Sequence, residues 1–110
     1  MKQCGLYPRI YSMLYGLTDK ELQYIVTLLS ENTKINKAVL YGSRAKGNFK
    51  PFSDVDIALL GDELSQKDVK KLLVEINDSN FPYQVDLVVY KSIKNQDLID
   101  HINRVGISLI

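Results

Sequence analysis

Two short apolar runs, Lys37–Tyr41 and Val55–Leu60, are joined by a stretch that begins with Gly42-Ser43 and ends with Asp54-Val55-Asp56. Ala38-Val39-Leu40 running into Gly42 has the pattern of a buried strand that meets a tight turn, and Val55–Leu60 has that of the next strand. Side chains alternate across a strand, so Asp54 and Asp56 face one side together while Val55, Ile57 and Leu59 face the core. The fifteen residues 42–56 therefore place a glycine turn and a pair of carboxylates at the ends of neighbouring strands.

The rest of the chain supplies layers for those strands. Thr18 and Glu21 form a capping box, with Leu17 and Leu22 as its hydrophobic staple, and predict a helix over 19–31 buried through Leu22, Ile25, Val26, Leu28 and Leu29. Ser65 and Asp68, flanked by Leu64 and Val69, repeat that logic for a helix over 66–77 with Val69, Leu72, Leu73 and Ile76 on its apolar stripe. Gln84–Tyr90 reads as a third strand interrupted only by Asp86. Residues 95–105 read as a last helix with Leu98, Ile102 and Val105 on one side, and Gly106 stops it before a short edge strand over 107–110. Pro8 and Gly16 bracket a further short helix over 8–15, carrying Tyr7, Tyr11 and Tyr15 at i, i+4, i+8 spacing. Helices alternating with strands predict an α/β (α+β) fold, a small mixed β-sheet with helices packed on it. At 110 residues, 45% hydrophobic and 25% charged, the expectation is one domain over 1–110.

The turn and the acids suggest chemistry. Gly42-Ser43 offers backbone N–H groups and a hydroxyl, Arg44 and Lys46 add cations, and together they suit a polyphosphate. Asp54 and Asp56 suit a divalent ion held against it. Asp86 lies between Val85 and Leu87, where an unpaired carboxylate is expensive to bury unless a cation or a network satisfies it. Three acids from two strands could converge on a site for two Mg²⁺ ions about 3.5–4 Å apart, aligning a hydroxyl, a phosphorus atom and a leaving pyrophosphate. Plainer readings stand beside this one. An Asp-x-Asp is common in loops, Asp86 could face solvent, Gly42 and Gly47 could be ordinary turn glycines, and Arg44 and Lys46 could be solvated. Ser53 either bonds the neighbouring acid or closes the strand entrance.

Several classes are disfavoured. A net charge of +1 argues against strong non-specific nucleic-acid binding, and no run of about 18 apolar residues exists to span a membrane. The single cysteine, Cys4, cannot form an internal disulfide, and without a signal-peptide pattern a cytoplasmic location is expected. His101 is the only histidine and lies on the last predicted helix near Asp97 and Asp100, where a surface position is expected. The tyrosine stripe suits either an interface or packing of a terminal helix on its own domain.

Gly42-Ser43, ten residues, Asp54-Val55-Asp56 and a later Val85-Asp86-Leu87, with the bracket Leu40–Gly47, resemble the DNA polymerase β-like nucleotidyltransferase superfamily, above all its minimal (MNT) members. The resemblance spans the whole chain and implies a nucleotidyltransferase fold and nucleotidyl transfer from ATP. It implies Gly42, Ser43, Arg44 and Lys46 at the nucleotide, and Asp54, Asp56 and Asp86 as catalytic residues and Mg²⁺ ligands. The third acid also serves as, or sits beside, the base. Minimal members are typically encoded beside a helical HEPN protein and act as its antitoxin by adding AMP to a tyrosine. Such a chain has no acceptor domain of its own, so the acceptor side is expected from a partner, as a hetero-oligomer or a homo-oligomer. A non-catalytic antitoxin that works by occlusion, or transfer to a small molecule such as an aminoglycoside, are the competing expectations.

Overall fold

The computed structural model describes residues 14–110. Most of the helix expected over 8–15, with Tyr7, Tyr11 and Cys4, lies outside the described residues. Within them, Leu14–Leu17 is a tight turn closed by reciprocal backbone hydrogen bonds of 2.9 and 2.8 Å, with φ of 59° at Tyr15 and 77° at Gly16. Left-handed backbone at both central positions makes a helix at Leu14 and Tyr15 impossible, which corrects the expectation there.

Helix α1 spans Asp19–Ser30, and both halves of its Thr18/Glu21 capping box are formed. Strand β1 (Lys37–Tyr41) leads directly into the short helix α2 (Gly42–Lys46), where the sequence suggested only a turn. Strand β2 (Val55–Leu60), helix α3 (Gln66–Asp78) and strand β3 (Val85–Val89) form a strand–helix–strand unit with β2 and β3 parallel. The Ser65/Asp68 box opens α3, and Asp68 also meets Lys34 at 3.2 Å. A single 3-10 turn (Tyr90–Ser92) follows β3 in place of the last residue expected of that strand. Helix α4 (Gln96–Val105), capped by Asn95, precedes the two-residue strand β4 (Ile107–Ser108).

The sheet order is β3-β2-β1-β4, with β1 antiparallel to both β2 and β4, so the sheet is mixed as expected. One face carries Ala38, Leu40, Val55, Ile57, Leu59, Val85, Leu87 and Val89 against α1 and α3, and this is the main core. The opposite face carries a smaller cluster of Tyr41, Ala58 and Ile102, through which α4 packs. That second face is also the one onto which Asp56 and Asp86 project, because Tyr41 pairs with Asp56 and Asp56 pairs with Asp86. Among the described residues no helix is long and apolar enough to cross a membrane.

Candidate active site

Register brings the acids together. Asp56 and Asp86 are direct partners on parallel neighbours β2 and β3, so their side chains leave the same face about 4.8 Å apart along the hydrogen-bonding direction. Asp54 precedes β2 on the same side and is exposed, as is Asp86, while Asp56 is half-buried. Solvent therefore reaches Asp86, and its placement does not depend on a buried compensating cation. Among the described residues no three histidine, cysteine or acidic side chains gather into a ready-made metal cage. The arrangement is a pair of adjacent carboxylates with a third beside them, open to solvent.

At Asp56 the effects of burial and neighbouring acids outweigh the one cation that acts on it. Asp56 is held above its ordinary value, first by partial burial, then by Asp86 and Asp54, with Arg44 pulling the other way. The Tyr41 phenol is pushed up to about 12 by burial and then by Asp56 and Asp86. A half-buried carboxyl raised by burial and by two neighbouring acids is one that a divalent cation would relieve. Mg²⁺ is commonly held by one or two carboxylates together with substrate phosphates, so these residues fit such an ion without a closed cage.

Gly42 sits against this cluster. Its φ is 77°, and a Cβ there would overlap Asp56 Oδ2, so a side chain is excluded both by backbone conformation and by the acid. Ser43 is half-buried on the first turn of α2, and Lys46 is exposed at its last residue. The structure gives Arg44 a different position from the expected phosphate contact. It is 1% exposed, and its guanidinium donates from Nε (3.1 Å) and Nη2 (2.8 Å) to the Ser53 carbonyl and from Nη1 (2.9 Å) to the Tyr15 carbonyl. Its planar face lies 4.4 Å from the Tyr83 ring centroid. Arg44 thus ties the Leu14–Leu17 turn, α2 and the segment before Asp54 into one unit. Ser53 closes that segment, its hydroxyl accepting from the Lys50 N–H at 2.8 Å while its own N–H donates to the Lys50 carbonyl at 3.0 Å.

His101 does not have the simple surface position expected of it. Its Nε2 accepts the Gly42 N–H at 3.1 Å, and its ring stands edge-on to Tyr41 with centroids 6.1 Å apart. One sequence signal pointed toward this: His101 lies three residues after Leu98 and one before Ile102, on the flank of the buried stripe of α4. Nothing local, however, names a partner 59 residues away.

Known proteins resemble the chain in sequence and in fold. The sequence pattern of the Polymerase beta, Nucleotidyltransferase domain matches residues 23–110. A Methanocaldococcus jannaschii protein, named provisionally a protein adenylyltransferase, is 27% identical over 89 residues, which cover 77% of this chain and 87% of that one. The Probable protein adenylyltransferase MntA of Haemophilus influenzae is 30% identical over 73 residues, covering 66% of this chain and 64% of its own. The crystal structure of a toxin-antitoxin with AMP-PNP contains a chain that aligns with 81% of this one, and over 72% of its own length, at a TM-score of 0.68 and 27% identity.

Proposed function

The chain belongs to the polymerase β nucleotidyltransferase family and is a nucleotidyltransferase; we propose that it is of the minimal MNT type and transfers AMP from ATP to a hydroxyl of a partner protein. The observation that carries this reading is the contact between Gly42 and Asp56 beside Asp86, which sets the Gly42-Ser43 turn directly against paired carboxylates. Ser43 and the turn that opens α2 take the terminal phosphates, with exposed Lys46 beside them. Asp54, Asp56 and Asp86 are the residues that would hold Mg²⁺ beside the triphosphate. When bound, Mg²⁺ neutralises charge developing on the leaving pyrophosphate and lowers the cost of ionising the attacking hydroxyl.

The acceptor oxygen forms a bond to the α-phosphorus while the bond from that phosphorus to the bridging oxygen breaks, and pyrophosphate departs. Asp86, exposed and next to Asp56, receives the hydroxyl proton. The names of the two relatives, both protein adenylyltransferases, favour a protein acceptor. Phe52, 88% exposed and two residues before Asp54, offers an apolar ring that such an acceptor would cover. The partner is a HEPN-type helical toxin with a tyrosine as acceptor, and the chain acts in the cytoplasm as its antitoxin.

Incubation with α-labelled ATP, Mg²⁺ and the co-encoded helical protein should label that protein, and Asp56→Asn should lower the label at least about 100-fold. No label from the wild type, or undiminished label from the variant, overturns the reading.

A further inference from the structure

We propose that His101 is a positioning residue for the nucleotide, fixing the Gly42 amide and with it the separation between the phosphate-binding turn and Asp56. The inference rests on the nucleotide-binding reading above and deepens it. Gly42 is pinned from two sides. Its N–H donates to His101 Nε2 at 3.1 Å, and its α-carbon lies so close to Asp56 that a Cβ would overlap Oδ2. An Nε2 that accepts carries no hydrogen of its own, which leaves Nδ1 as the ring's donor. The ring is itself held, edge-on to the buried Tyr41 and one residue from Ile102, which is 3% exposed in the core under α4.

The first-turn amides of a helix have no acceptor within it, and their direction is set by whatever they meet. At Gly42 that partner is a side chain from another element, so the turn is oriented against Asp56 before a nucleotide arrives. A preset turn saves the ordering cost that binding would otherwise carry. The Gly42 N–H points toward α4, which makes His101 a support for the turn from behind, not a competitor in it.

The test compares Mg²⁺·AMP-PNP affinity, by calorimetry, for the wild type, His101→Gln and His101→Phe. Gln carries an amide oxygen at about the reach of Nε2, whereas Phe keeps a ring against Tyr41 and offers no acceptor. His101→Gln should bind within about twofold of the wild type and His101→Phe about 3- to 10-fold more weakly. In the transfer reaction the same change should appear in the KM for nucleotide, with kcat altered less. In the wild type, NMR should detect a scalar coupling between Gly42 N and His101 Nε2, a reading that needs no variant to fold. Binding by His101→Phe as tight as or tighter than the wild type overturns the inference, and so does equal weakening by Gln and Phe or absence of that coupling. A wild type that binds Mg²⁺·AMP-PNP and labels no partner overturns only the protein-acceptor reading; one that binds no nucleotide overturns both.

Discussion

At Asp56 the carboxyl holds its proton more tightly in the folded chain than in the unfolded one, because it is half out of water and faces Asp86 and Asp54. The stability gained from that proton is fully present below the ordinary carboxylate value and is lost as pH rises through the higher folded value. Above that window, ionised Asp56 works against the fold. Asp56→Asn is therefore expected to have a higher urea midpoint than the wild type at pH 7, with the gap closing as pH falls toward 4. A less stable Asn variant at pH 7 would show that the acids do not strain one another. The same substitution abolishes the proposed transfer, so stability and activity should move in opposite directions. The Asp54–Asp56 pair is legible in sequence because strand alternation alone puts both on one face. The neighbour that strains Asp56 is less legible: Asp86 reaches it only through the parallel register of β2 and β3, which no local pattern states.

Elements whose signals are local appear where the sequence puts them. Both capping boxes form, and α1, α3 and the three main strands fall within a residue or two of their expected bounds, since a cap and a staple involve residues three to five apart. The connections between elements follow other rules. Arg44 reads as a surface cation beside a glycine turn, yet its three donors satisfy two backbone carbonyls, from Tyr15 and Ser53, in segments far apart in the chain. Those carbonyls need a planar fork, and a lysine ammonium supplies only a point charge. Arg44→Lys should accordingly destabilise the protein by about 2–4 kcal/mol in urea unfolding, because it leaves a buried charge poorly matched and a carbonyl without a donor. If Arg44 served chiefly as a phosphate contact, the variant would keep its stability and lose only nucleotide affinity, so one pair of measurements separates the two roles.

Across the whole molecule the two faces of the sheet are unequally held. Strand β2 is flanked by β1 and β3, and its Ile57, Ala58 and Leu59 are fully buried. The α1/α3 face contributes the larger apolar cluster, whereas α4 is anchored by Ile102 alone among its fully buried residues. Burying less apolar surface means that α4 opens at a lower free energy than the sheet it covers. Because α4 also carries His101, each opening of that helix releases the Gly42 amide and loosens the turn against Asp56. Hydrogen exchange should therefore show β2 amides as the slowest in the chain and α4 amides exchanging at least about tenfold faster. Saturating Mg²⁺·AMP-PNP should slow α4 in the wild type, since a ligand that needs the turn in place favours the state in which α4 is docked. In His101→Phe the same ligand should leave α4 exchange nearly unchanged. Equal exchange of β2 and α4 in the free protein would mean that the domain opens as one unit, in which case α4 could not report on the turn separately from the fold.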